Sequence, residues 1–346
     1  MWIQRNKMKK FRMVLLTLIA VWTVKLPAQE KAPLRLVQRT PTPGVRKWDH
    51  FGVDLPGHRL FLSSMEPGLV EVFDLNTNKL VHTITGLKEP HSFVFRPDIN
   101  KIFVVDGGAS EVKIYAYDSY KLIGHIALTI DADCVGYDPA TKYMYVVNGG
   151  RLAHTPYCLL SVIDTNKDQK LADIKFDVNR LESFKMERKG ARLFINMTGG
   201  DKIGVVDRRK RALIATWRIT GTKEAVPMAF DEDDHRLITA TRTPSSVVVF
   251  NTDTGEQIAT LPSAAHSDDI FYDRVHKRIY NVCGEGFVAV YEQRSPDDYQ
   301  FLANIPTRLQ ARGGVLVPEL NRFYVAAPQV GDKDEPAQIL IYDLLP

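Results

Sequence analysis

Cysteine is scarce in this chain: Cys134, Cys158 and Cys283 are the three among 346 residues, an odd number that excludes a fully paired disulfide scaffold. The patterns C-x-x-C, C-x-x-C-H, H-E-x-x-H and G-x-S-x-G do not occur. Attached c-type haem, the zinc-protease helix and the nucleophile elbow therefore have no support in the sequence. The extended apolar run, Met13 to Val24, is 12 residues, short of the roughly 18 that span a bilayer. Positive charge is also lacking beyond residue 28. Residues 1–28 hold six basic side chains and no acidic one, so the formal charge of +4 falls to −2 for the remainder. A nucleic-acid binder keeps a basic footprint, and no nucleic-acid partner is expected here. The run Arg208-Arg209-Lys210-Arg211 reads as a solvated turn.

What stands at the N-terminus is a leader. A basic start (Arg5, Lys7, Lys9, Lys10, Arg12) precedes the apolar run, and Leu26-Pro27-Ala28 precedes Gln29, so residues 1–28 read as a secretory signal cleaved after Ala28. The expected mature protein is a single domain, 29–346, exported to the periplasm or the extracellular space, with no stable membrane span and as a monomer. No cysteine lies near the cleavage point, which argues against a lipoprotein.

The rest of the chain is a repeat. Two β-rich runs joined by a polar turn recur seven times, anchored at Arg59, Lys101, Tyr143, Arg192, Arg236, Arg278 and Arg322, with steps of 42, 42, 49, 44, 42 and 44 residues. Phe93 to Val105 and Phe271 to Val282 are typical copies. A third run follows, such as Val70 to Asp74 or Ile339 to Asp343, and then a turn and a fourth, such as Lys79 to Ile84. Four strands at this period make one twisted blade, so the expected fold is an all-β, seven-bladed β-propeller. The last repeat ends at Pro346 without a fourth strand. The unassigned run Leu34 to Gln38 can fill that place, completing the last blade and removing an open sheet edge. Cys134 and Cys158 both fall in blade 3, where either an intrablade bridge or two separate buried thiols would suit an exported protein.

Pro90 to Asp98, Pro-His-Ser-Phe-Val-Phe-Arg-Pro-Asp, followed by Lys101-Ile102-Phe103-Val104-Val105, resembles the P-H-x-V-x-x-S-P-D-G-K-x-x-Y-V consensus of the YVTN, or YncE-like, bacterial β-propellers. The resemblance covers nearly the whole mature chain and is nearest consensus in this blade. Asp54, Asp138, Asp231 and Asp273 keep an acidic residue at the first turn. It implies a seven-bladed, usually exported propeller. It implies no single reaction, because members include surface and binding proteins and relatives of the same architecture include redox enzymes and lactonases.

Strand order puts the approach to each first strand and the connection between strands two and three on one face, here the top. Binding residues collect on loops that a rigid scaffold displays. Ten residues before each anchor stand Asp49, His91, Asp133, Glu182, Val226, Asp268 and Arg312, six of the seven ionisable. These six are candidate ligand-binding residues. Crowded carboxylates call for a cation or for Arg312, so Asp49, Asp133 and Glu182 are candidate ligands for Ca²⁺ or another divalent cation, with His91 admitting a transition metal. Hydrated charges at the mouth of a water-filled channel are the competing reading. Glu66, Asp106, Asn148, Asn196, Arg242 and Glu285 share the top face, and Asp106 and Asn148 are added as candidates although each begins an x-Gly-Gly turn. From anchor to the end of strand three the chain runs 15 residues in blades 1, 2, 4 and 5 but 21 in blades 3 and 7. The extra lengths hold Arg151 to Tyr157 and Gln329 to Glu335, which makes His154 a candidate rim residue.

Two partial motifs carry nothing. Gly284 to Ala289 fits G-x-G-x-x-A but precedes a strand, not a helix, and Asp164 to Asp168 opens like a calcium loop but lacks its glycine and closing acid. The expected function is an exported, non-catalytic propeller that binds a small ligand or an envelope protein through its top-face funnel. The alternative is a divalent-metal-dependent hydrolase or lactonase that uses the acidic ring.

Overall fold

Short runs of β-branched and aromatic residues alternate with Asp-, Asn- and Pro-rich turns, and the backbone follows that alternation. A computed structural model describes residues 32–42, 47–331 and 336–346. Among them, 28 strands form seven four-stranded antiparallel sheets. The expected leader at 1–28 and residues 332–335 of the second long loop lie outside the described residues.

Each sheet is one blade. Blade 1 is Lys47–Asp54, Arg59–Glu66, Leu69–Asp74 and Leu80–Ile84, in that spatial order. All seven anchors open the second strand of their blade. Six of them follow a left-handed residue (His58, Asn100, Lys142, His235, Lys277 or Asn321) at φ between 52° and 64°, which turns the chain back on itself. Blade 7 takes Gly314–Val317, Arg322–Ala327 and Gln338–Leu344 from the end of the chain and Leu34–Pro41 from its beginning. Leu34 faces Leu344 across that closing pair, and the strand runs three residues past the expected Gln38. The first strands touch in sequence around the axis, and Gly314–Val317 meets both Ser267–Asp273 and Lys47–Asp54, so the circle is complete.

The core is divided among the blade interfaces. Seven buried apolar clusters among the described residues each join two neighbouring blades, including Leu60 and Leu62 of blade 1 with Tyr324 and Ile339 of blade 7. Both faces of a blade are thus covered, so its middle strands are near-continuously apolar, and each buried large side chain contributes about 1.5–3 kcal/mol. Cys158 and Cys283 lie in such interfaces; all three thiols are free and no bridge joins Cys134 to Cys158.

The bottom face is held by ion pairs. Arg59 donates from Nη2 to Asp54 Oδ2 at 2.7 Å, and His276 Nδ1 stands 2.7 Å from Asp273 Oδ2. Arg208 departs from the solvated-turn reading: it is 8% exposed, donates to Asp138 Oδ2 at 2.6 Å, and also reaches the carbonyl oxygens of Glu187 and Gly190. Arg209, Lys210 and Arg211 are exposed as expected. The apparent calcium loop is an Asx turn, with Asp164 Oδ1 accepting from the backbone of Asn166 and Lys167.

Candidate functional site

Seven strand ends converge on the axis, where no neighbouring sheet offers an apolar surface. Polar side chains collect there. The pairing of first with second strands slips at Trp48/Phe51, Pro90/Phe93 and Ser267/Asp269. A bulge breaks strict alternation, and as a result the consecutive residues Asp49 and His50, and Asp268 and Asp269, line one cavity together.

Three of the expected residues meet. His91 Nδ1 lies 2.5 Å from Asp49 Oδ2 and 3.6 Å from Asp133 Oδ1. His50 joins them, with Nε2 3.4 Å from the same Asp133 oxygen and 3.8 Å from Asp49 Oδ2. Its Nδ1 is 3.6 Å from Asp269 Oδ1. The imidazoles stand at ion-pair distance from Asp133 but outside hydrogen-bond geometry, and the buried Oδ1 of Asp133 has no hydrogen-bond partner.

Burial opposes charge on His91, but Asp49 and then Asp133 outweigh it and lift its pKa to about 9. The same contest raises His50 well above the usual imidazole range, with Asp49, Asp133 and Asp269 overcoming burial. Burial pushes Asp133 up, and His91 and His50 more than reverse this, holding it at about 2.

Asp268 forms a second focus. Arg312 Nε is 2.7 Å from its Oδ2 and Arg242 bonds its Oδ1. Burial pushes Asp268 up to about 6 against the pull of Arg312 and Arg242. Asp49, His50, Asp268, Asp269 and Arg312 wall a cavity of about 670 Å³ on the top face, beside the first strands of blades 6, 7 and 1. A smaller cavity of about 200 Å³ lies along the channel, lined by His50, Cys134, Asp269 and Lys185. Burial lowers the pKa of Lys185, with Asp269 opposing, and raises that of Cys134.

The other expected residues are placed differently. Glu182 receives Arg180 Nε at 2.5 Å and stands outside the donor groups around Asp133; burial, with repulsion from Asp133 and Asp268, raises it to about 7 despite Arg180. Asp106 serves the scaffold: it is fully buried, accepts from the backbone of Lys88 and Glu89, and pairs with Lys113 at 2.9 Å. Asn148 does likewise, donating to Ser161 Oγ at 2.8 Å and accepting from Thr129 N. Their oxygens are already occupied by the protein. His154 is exposed on its loop and has no ion-pair partner among the described residues.

His50, Asp269, Cys134 and Lys185 were not among the expected residues. The column ten residues before each anchor takes one position per blade, whereas the bulges present two. The doublets Asp49-His50 and Asp268-Asp269 were the available signal, together with a lysine inside the otherwise apolar Phe184–Met186.

The class is thereby defined: a seven-bladed, all-β propeller with an ionisable site at the top of its axis. No family model matches the chain, and no curated protein matches it either. Among solved structures it is similar to the hydrazine synthase of Kuenenia stuttgartiensis, at 17% identity over 83% of this chain and 94% of that one, with a TM-score of 0.72. With 1703 solved chains similar to it, the architecture is widespread, and at this identity the likeness shows the fold alone.

Proposed function

We propose that this chain is a non-catalytic, exported binding protein of the YVTN type that holds a small polar ligand in its top-face funnel. The observation that carries the reading is the cavity of about 670 Å³ walled by Asp49, His50, Asp268, Asp269 and Arg312. Acids and cations interleave there, which suits a ligand with groups of both signs. Arg312 pairs with Asp268 through Nε and its side chain is 44% exposed, so a carboxylate or phosphate can reach the guanidinium from the cavity. The repeat resemblance supports the binding role, and the leader supports export.

A thermal-shift screen of the mature protein against polar metabolites tests the role. At least one chemical class should raise the melting temperature of wild type but not of Arg312→Ala or Asp269→Asn. A ligand indifferent to both substitutions, or none across dicarboxylates, amino acids and sugar phosphates, would count against the funnel. Export is tested by sequencing the N-terminus of protein recovered outside the cytoplasm. Gln29 should come first, and an uncleaved chain retained in the cell would overturn the assignment.

A second reading, a metal-dependent hydrolase or lactonase, is favoured by one observation: donor atoms of Asp49, His91 and Asp133 lie within 4.8 Å of one another. A metal there would polarise a carbonyl and activate water. Turnover of lactones or esters that needs added metal and disappears in His91→Ala would select this reading over the first.

A further inference from the structure

We infer that the axis of this propeller is a binding site for a first-row divalent transition metal ion, ligated by His50, His91, Asp49 and Asp133. The inference deepens the funnel reading and rests on it. It also changes the donor set expected from sequence, exchanging Glu182 for two imidazoles.

Asp133 is shared by two groups of three mutually close donors, one with Asp49 and His91 and one with His50 and Cys134, and the four proposed ligand atoms link through it in an open circuit. Its edges are 2.5 Å from His91 Nδ1 to Asp49 Oδ2, 3.6 Å from His91 Nδ1 to Asp133 Oδ1, 3.4 Å from Asp133 Oδ1 to His50 Nε2, and 3.8 Å from His50 Nε2 to Asp49 Oδ2. A tetrahedral ion with bonds of about 2.0–2.1 Å separates its donors by about 3.3 Å. Two edges are within about 0.3 Å of that spacing and a third is about 0.5 Å longer; the four atoms are not all within 4.8 Å of one another, so binding draws an imidazole inward. The short one is a hydrogen bond, and its shared proton is what a metal would displace.

The donor chemistry narrows the ion. Two imidazole nitrogens and two carboxylates suit Zn²⁺, Co²⁺, Fe²⁺ or Mn²⁺, whereas Ca²⁺ asks for about six to eight oxygens. Asp133 Oδ1 belongs to both groups of metal-competent donors, and although buried it has no hydrogen-bond partner. An anionic oxygen left in that state is the atom a cation would satisfy.

The surroundings are arranged as supports. Asp269 Oδ1 stands 3.6 Å from the far nitrogen of His50, where it can orient the ring. Gly107 backs His91: a Cβ at that position would stand 2.9 Å from Nε2 and collide with the carbonyl oxygen of Ala132. Asp49 and His50 are also walls of the large cavity, so the ion would border the ligand space.

The test uses the mature chain stripped with a chelator. Zn²⁺ and Ca²⁺ are titrated by calorimetry, and Co²⁺ is followed by its visible d–d absorption, which is intense for tetrahedral and weak for octahedral sites. The expected result is one Zn²⁺ or Co²⁺ per chain, a tetrahedral spectrum, Ca²⁺ far weaker, and loss of binding in His50→Ala and His91→Ala. Asp269→Asn should weaken binding by about 10–100-fold. Glu182→Gln, which removes a rejected carboxylate, should leave affinity unchanged. Each variant is melted without metal to establish that it folds, and His50→Gln and His91→Gln replace the alanines if those do not. No ion on folded wild type, an octahedral spectrum, or affinity indifferent to both histidines would overturn the inference. A polar ligand that binds the stripped protein through Arg312 would then leave the funnel reading standing.

Discussion

Replacing Glu71 by glutamine should stabilise this protein above neutral pH and leave it unchanged in acid. Glu71 lies in the third strand of blade 1, Leu69–Asp74, across from Leu62 and Thr83, and is 2% exposed. Its Oε2 has no hydrogen-bond partner, and it has no ion-pair partner among the described residues. Burial therefore pushes its carboxyl up from 4.5 to about 7. A displacement of that size corresponds to about 3 kcal/mol between the two protonation states. The folded pKa exceeds the unfolded one, so this contribution to stability is present below pH 4.5 and is lost as pH rises through about 7. Glutamine keeps the volume and cannot ionise. Denaturant melts should show variant and wild type equal near pH 4.5, with the variant ahead by up to about 3 kcal/mol near pH 8.5. At about 2 °C per kcal/mol for a chain of this size, the melting temperature should rise by about 6 °C. At the equivalent register the other blades place Lys113, Ser161, Gly204, Val248, Ala289 and Leu340, so the fold itself asks for no acid there. A variant equally altered at both pH values, or less stable at the higher one, would refute the reasoning by showing that Glu71 is held as a carboxylate.

Three further outcomes are expected. Arg208→Ala breaks a buried pair between blades 3 and 4 and should cost about 3–5 kcal/mol, while Arg209→Ala next to it should stay within about 0.5 kcal/mol; equal effects in denaturant melts would contradict the burial difference. Leu34→Ala hollows the closing strand where it packs in the blade 6 and 7 cluster, and should lower unfolding free energy by about 2–5 kcal/mol. Unaltered stability would mean that the N-terminal strand does not close the circle. Gly107→Ala should displace His91, weaken binding of Zn²⁺ or of any funnel ligand that touches it, and lower the melting temperature through its collision with the Ala132 carbonyl; calorimetry on the folded variant showing wild-type affinity would remove Gly107 from the site.

The architecture was legible because it is written locally. Each anchor begins a second strand, and the missing fourth strand of blade 7 was recoverable from Leu34 to Gln38 by counting. Asp49, His91 and Asp133 were also reachable by counting, since a repeat places equivalent positions at equivalent radii. Asp106 and Asn148 misled that count: the same polar residues that begin a turn also satisfy backbone groups inside the scaffold, and spacing does not separate the two uses. His50 and Asp269 were missed because a bulge turns two adjacent side chains to one side, and the period of two along a strand hides that.

The amino-acid order alone determined how many blades there are, where each strand begins and how the ends of the chain meet, because hairpins and blade stacking depend on residues close in sequence. Tertiary structure decided which charges share the axis. Asp49, His91 and Asp133 are 42 residues apart at each step, and only closure of the circle, together with the local bulges, brings His50 between them and sends Glu182 to Arg180.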